Sequence, residues 1–465
     1  LKTQDHYDVV VAGGGTAGAC AAIAAARTGA RTLVVEPYSY LGGNIALGMN
    51  LLGAADAEGH WALGGVGREL VDRLEREGGA TPVSLDPQFG SILGHDPEMA
   101  KIVLLEMAVE AGVEILYHAL VVDAVVSNGA VTGLTVATKQ GVRTIGARVV
   151  VDTTGDADVL AKAGGAHTFG RDADRKTQPA SRIFRVGDVD LKRVYEYLSE
   201  HPEDLKPPKG WSGGDYDVDT LAATPGATIE AFGDLIRRAR AAGHWSIPRW
   251  RLGLYTLPGR SDVGVNVTRV HGVDGTDPDD VTRADVETTL QMAEVMRFLR
   301  GYVPGFENSR IVSAPHQVGI RETRRVRGGY ALTQEDVVEG RSFDDQIGRG
   351  AYPLDVHDVE PGLGGSVLWP IRRSFGIPVR CLVPVDVGGL VVAGRAISAT
   401  HEAAGSTRGQ AVCMVTGHAA GTLAALAAAG DGVTSVEVTR LQDTLRAQDA
   451  VLERGRLIES LTDGG

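Results

Sequence analysis

Near its start the chain carries an apolar run without alternation, DVVVA, then three glycines, then TAGACAAIAAARTG, then RTLVVE. An unalternated apolar run is the mark of a strand buried on both faces. The pattern predicts a parallel strand, a helix ending at Gly29 and a second strand, which together make a βαβ unit. Over 96–110, DPEMAKIVLLEMAVE sets a capping acid before apolar residues at helical spacing, which predicts a helix. Short β-rich runs broken by SNGA and KQGV follow, predicting an antiparallel meander that returns to a buried strand at 149–151.

The pattern changes near Gly164. Residues from about 165 to 375 hold most of the prolines, four of the five tryptophans and a long amphipathic helix at about 283–302. Glycine–alanine character resumes at CLVPVDVGGLVVAGRAISAT, and two helices close the chain. The expected fold is α/β: a Rossmann-like dinucleotide-binding domain with a β-meander, 1–164 and 376–465, carrying an inserted α+β substrate (capping) domain, 165–375.

Composition narrows the function. The chain has 465 residues and a net charge of −13, which argues against nucleic acid and anionic membrane surfaces as partners. Cys20, Cys381 and Cys413 have no metal-ligand spacing and favour a reducing, cytoplasmic compartment. No metal site is expected. The polar start LKTQDHYD has no signal-peptide character, and no uninterrupted apolar stretch is expected to span a membrane.

Gly13, Gly15 and Gly18 spell GxGxxG where a strand turns into a helix. The first glycine permits the turn, the second lets backbone approach a pyrophosphate, and the third lets helix and strand pack closely. The helix N-terminus then offers free N–H groups to phosphate oxygens. Glu36 ends the next strand, where a carboxylate accepts hydrogen bonds from ribose hydroxyls. This unit serves NAD and FAD alike, so downstream segments must separate them: PYSYLGGN, VVVDTTGDADV and GGLVVAGRAISATHEAAGSTRGQAV.

These blocks, with TQPASRIFRVGDVD, GIRETRRVRGGYALTQEDV and GRSFDDQIGRGAYPLDVHD, resemble those of FAD-dependent oxidoreductases with the glutathione-reductase-type FAD-binding fold, related to succinate dehydrogenase and fumarate reductase flavoproteins. The resemblance implies FAD, with pyrophosphate at Gly13, Gly15 and Gly18 and ribose at Glu36. It implies Gly42, Gly43 and Asn44 along the flavin, Val121 or Val122 at adenine, and Gly155 and Asp156 near the dinucleotide. Gly394 and Arg395 would approach the pyrophosphate, and Ala411 and Val412 would offer N–H groups to the flavin pyrimidine. Relatives that tether flavin covalently use a histidine near the Gly-Gly loop; 38–50 has none, so non-covalent FAD is expected.

The implied activity is hydride transfer between a small organic substrate and the flavin, with electrons exchanged with an external acceptor or donor. Redox-neutral flavin chemistry of the isomerase or hydratase type is the alternative, and electron carriage a more distant one. Histidine suits proton transfer near neutral pH, and arginine suits an oxygen-rich substrate. The candidates are His357 and His401, then Arg321 and Arg408, with Asn266 and His271 behind them. Each could instead bond a loop or pair with Glu322, Asp355 or Glu402. The segment WSIPRWR reads as a pocket wall or as an amphipathic strand edge.

Overall fold

The structure is a computed structural model that describes residues 5–86, 88–207, 216–224, 226–257, 260–360 and 366–459. His6–Ala12, Thr16–Arg27 and Thr32–Glu36 form the βαβ unit, the two strands pairing in parallel from Val9–Thr32 to Ala12–Val35. All five residues of the second strand are buried, as its unalternated pattern requires. The sheet runs in the order Glu114–Tyr117, Thr32–Glu36, His6–Ala12, Gly141–Asp152, Ala130–Thr138, Leu120–Ser127. Its last three strands are the antiparallel meander.

Gly141–Asp152 is long enough to change partner along one edge. Its first half pairs with the meander, and its second half pairs in parallel with Leu390–Val392. Residues more than two hundred positions apart thereby close one sheet. The Gln410–Ala428 helix that follows is buried along its whole length and packs on Thr16–Arg27. Gly417 and Gly421 make that approach possible: a Cβ at either would fall 2.1 and 2.0 Å from the carbonyl oxygens of Ala17 and Ala21. Contrary to the expectation from its interrupted sequence, this helix is long and apolar enough to cross a bilayer. Its apolar character serves the core, because it is enclosed by protein on all sides.

A second, antiparallel sheet has the order Thr228–Ala231, Leu252–Thr256, Val263–Asn266, Phe184–Gly187, Arg310–Ser313. The Pro278–Tyr302 helix covers it; Asp277 caps that helix by accepting the N–H groups of Asp279 and Asp280. Phe184, Phe232, Trp245, Phe298 and Phe306 belong to its own hydrophobic cluster, with Trp245 packed edge-on to Phe298. WSIPRWR is therefore anchored through a core tryptophan. Leu332, Ile347, Tyr352, Leu354 and Phe375 instead join the larger cluster under the dinucleotide-binding sheet. Two large cores thus lie one against each sheet, a further cluster with Tyr7, Val10, Leu33, Val35 and Val150 fills the other face of the first sheet, and a cleft opens at the end of that first sheet.

Candidate active site

The cleft begins at the turn after His6–Ala12. Gly13 has φ +94°, and its N–H donates to the Val35 carbonyl at 2.8 Å. A Cβ at Gly18 would sit 1.8 Å from the Gly13 carbonyl oxygen, so this position admits no side chain. A Cβ at Gly15 would meet nothing within 4 Å, because it would project into the cleft. The Thr16–Arg27 helix has no side-chain cap at its N-terminus, which leaves its first N–H groups for a ligand. Across the turn lies the Gly42–Gly43 loop, where Thr16 Oγ1 donates to the Gly42 carbonyl at 2.7 Å. Gly43, at φ +52°, comes so close that its Cβ would lie 3.0 Å from Gly15 Cα.

Glu36 ends its strand with a buried carboxylate that accepts N–H bonds from Gly14 at 2.6 Å and Tyr38 at 3.0 Å. Burial raises its pKa above the ordinary value, and the two N–H bonds only partly offset this. On the opposite wall, Arg395 pairs with Asp156 at 2.7 Å, and Gly155, at φ +88°, leaves room for the guanidinium. The cleft is lined by Gly13, Gly15, Glu36, Gly43, Asn44, Val121, Gly155, Asp156, Gly394 and Arg395, and it ends at Gln410 and Cys413. Gly18 and Gly42 shape it from behind, and Ala411 and Val412 lie in the helical turn between Gln410 and Cys413. Val121 is the member of its pair that reaches the wall.

The Gln410–Ala428 helix also has no side-chain cap. Gln410, 5% exposed, has neither amide atom hydrogen-bonded. An unpartnered buried amide costs on the order of 1–3 kcal/mol, which a ligand at this helix end would recover. Sequence reasoning missed Gln410, along with Tyr38, Tyr40, His316 and Gln317, which close the cleft from above. The His316 ring lies tilted at 48° against Tyr38 with centroids 3.6 Å apart, and Tyr40 Oη lies 3.0 Å from His316 Nδ1.

A second cavity of about 120 Å³ adjoins the Gln410 end. Arg182, Arg321, Tyr352 and Arg408 line it, and Arg408 is shared with the cleft along with Asn44, Leu47, Ile320, Arg395 and Gln410. Arg408 NH2 donates to Asp355 Oδ2 at 2.8 Å, and Tyr352 Oη donates to the same oxygen at 3.2 Å. Burial would raise Asp355, yet His357, Arg408 and Arg321 hold it well below the usual carboxylate range.

His357 and His401 do not line either cavity. His357 stands behind Asp355, with Nε2 3.3 Å from Oδ2 and Nδ1 2.9 Å from Arg269 NH2. A guanidinium only donates, so Nδ1 accepts and the hydrogen sits on Nε2, facing the carboxylate. Burial first, with Arg321 and Arg269 adding to it, takes His357 far below the ordinary histidine range, and the ring is neutral. His401 opens the His401–Thr407 helix with Nδ1 2.9 Å from Glu322 Oε1, which also takes the buried Arg325. Asn266 bonds Tyr255 at 2.9 Å, and His271 lies near Arg269 and Asp358. Structure thus brings Arg321 and Arg408 to one chamber, sets His357 behind Asp355, and places His401 against the Glu322–Arg325 pair outside both cavities.

Thiamine thiazole synthase of Aeropyrum pernix is 34% identical to this chain over 136 residues, 29% of the chain and 46% of that protein. The chain thus spans less than half the length of this curated relative. Among solved structures, a triple mutant of the flavin-dependent brominase Bmp2 is similar at a TM-score of 0.47 and 14% identity, over 95% of this chain and 84% of that one. The p-nitrophenol 4-monooxygenase PnpA from Pseudomonas putida DLL-E4 is similar at 0.46 and 12%, over 95% and 84%. Residues 8–445 match the family described as FAD dependent oxidoreductase, and the chain belongs to that family, an enzyme with FAD as its cofactor.

Proposed function

We propose that this enzyme oxidises or reduces a small organic molecule held in the arginine-lined chamber, with FAD lying along the cleft beside it. The observation that carries this reading is the shared wall: the chamber opens onto the cleft at Gln410, whose buried amide has no partner. The residues fit FAD along the cleft's length. Glu36 and Val121 would hold the adenosine end, and the glycine turn, Gly155 and Gly394 the pyrophosphate. Asn44, Gln410 and the first N–H groups of the Gln410–Ala428 helix would hold the flavin end, without a covalent tether. When bound, FAD supplies two-electron chemistry as a hydride acceptor or donor.

The chain's own residues would do the rest. Arg321 and Arg408 bind and orient the substrate, and Tyr352 encloses it. Asp355 fixes Arg408 and Tyr352, while neutral His357 orients Asp355. His401 holds Glu322 against Arg325. Electrons then pass to or from an external partner. The inserted unit proper would be the part built on the second core.

The test is to purify the protein with its yellow chromophore and mix it anaerobically with alcohols, amines and acids. Bleaching of the flavin band by one class supports the proposal. A substrate turned over with the flavin oxidised throughout would move the enzyme to redox-neutral chemistry. Flavin retained on the denatured chain would overturn non-covalent binding.

A further inference from the structure

The chain as a whole is acidic, at −13, yet its chamber is not. Four of the 16 residues lining the chamber are arginines, and none is Asp or Glu. Two of the four are spoken for: Arg182 pairs with Asp285, and Arg395 with Asp156. The other two differ. Arg408 is half used, giving NH2 to Asp355 while its buried Nε has no partner. Arg321 donates NH1 to the Pro179 carbonyl and forms no ion pair among the described residues.

One carboxylate, Asp355, therefore stands against two buried guanidiniums, and the neutral His357 adds nothing to the balance. Burying a cation without a counter-ion is costly, and the cost falls when an anion enters. Burial, and then the neighbouring Arg408, lowers Arg321 to about 10, which is the same imbalance seen from the cation's side. Gln410 and Asn44 complete a polar wall on the cleft side, while Leu47, Met49 and Ile320 give the rest an apolar lining. At about 120 Å³ the cavity is on the scale of an engineered cavity of about 150 Å³ that admits benzene, which suits a compact molecule.

We infer that the substrate is a compact organic acid whose ionised carboxylate is held by Arg321 and Arg408. This rests on the proposed function for the chamber itself, and deepens it from "small organic molecule" to a charged class. Guanidinium forks match carboxylate oxygens and discriminate strongly against neutral isosteres. Binding of the acid brings the charge missing from the wall, so recognition and charge balance are one event.

The experiment is calorimetric titration of the FAD-loaded enzyme at fixed ionic strength. The probes are acetate, glycolate and oxalate, set against acetamide and ethylene glycol, with inorganic phosphate as a second oxyanion. Carboxylates should bind at least about tenfold more tightly than the neutral isosteres, the scale of a charge-assisted hydrogen bond. Arg321→Gln should remove at least about tenfold of that affinity with FAD content unchanged, and Arg321→Lys should restore part of it. Equal binding of acids and isosteres, or full affinity in Arg321→Gln, overturns the inference. Phosphate binding more tightly than every carboxylate overturns the carboxylate assignment. If Arg321→Gln loses FAD, the wild-type comparison of acids with isosteres decides alone. Acid binding with neither reduction of the oxidised flavin nor reoxidation of the reduced flavin by any acid would sink the chamber as the redox substrate site and leave the charge assignment standing. Flavin reduction by neutral compounds, unchanged in Arg321→Gln, would do the reverse.

Discussion

The cleft and the chamber share a wall but are built from different materials. In the cleft, glycine turns and helix N-termini form much of the surface, and its charged groups are three acids, Glu36, Asp156 and Asp158, with Arg395 and Arg408 at the shared end. In the chamber, long side chains from distant segments converge, among them Arg182, Arg321, Tyr352 and Arg408. A backbone-built site demands particular residues at fixed spacing, because only glycine tolerates the contacts. A side-chain-built site demands only that the right groups arrive, from anywhere.

Breaking the chamber should produce the largest effect. Asp355→Ala removes the single carboxylate between Arg321 and Arg408 and leaves buried charge uncompensated, at a cost of about 3–5 kcal/mol in denaturant unfolding. Added acetate should stabilise this variant more than the wild type. If unfolding is unchanged, the two guanidiniums are better solvated than their burial implies. Asp355 is a depressed carboxylate, so its contribution is present above about pH 4 and is lost as pH falls below that.

Next come two glycines three residues apart in the cleft. Gly18→Ala forces a Cβ against a carbonyl oxygen that cannot move aside, and should cost about 3 kcal/mol or more of stability. Gly15→Ala has open space and an ordinary φ of −62°, so the fold should be unaffected. Its methyl would occupy the space proposed for the pyrophosphate and should weaken FAD binding about 10- to 100-fold. FAD affinity unchanged in Gly15→Ala would mean that the dinucleotide takes another path.

These contrasts account for what could be read beforehand. The βαβ unit, the meander and the helices at 97–110 and 410–428 were legible because each rests on a local pattern of apolar spacing, caps and turns. Gly13, Gly15, Gly18 and Glu36 were legible for the same reason, since their chemistry lies in their spacing. Tyr352 and Gln410 lay inside blocks already singled out, GAYPLDVHD and STRGQAV, yet nothing local shows that their side chains line one chamber. His357 and His401 were preferred because, of the histidines, these two lie in family-like blocks close in sequence to the C-terminal part of the dinucleotide-binding domain. At His357, burial and a facing arginine take the ring far below the ordinary histidine range, and neither is visible in the order of residues.

Glu36 offers a test in which one proton acts with opposite sign on two readouts. Its folded pKa is raised, so the ionised form carries a cost that is relieved as pH falls through the folded value. Acidification through that window should therefore stabilise the apoprotein, while FAD affinity falls because the ribose loses an anionic acceptor. Glu36→Gln should bind FAD about tenfold more weakly, and the difference from wild type should shrink toward acid pH. FAD affinity that rises on acidification would contradict the ribose contact.

The smallest effect belongs to His357, because it reaches the chamber only through Asp355. His357→Gln keeps a donor toward Asp355 and should weaken acid binding by about threefold, under about 1 kcal/mol. The pH profile carries more information than that number. With Arg269 donating to Nδ1, taking up a proton would set a cation beside a cation, and His357 is lowered from 6.5 to about 3. Acid affinity in the wild type should then show no step from His357 between about pH 8 and 5, since this ring gains no charge across that range. Suppose affinity instead strengthened below about pH 6.5, and the rise vanished in His357→Gln. The ring would then gain its proton despite Arg269, and it would act on the acid through its charge rather than only by holding Asp355 in place.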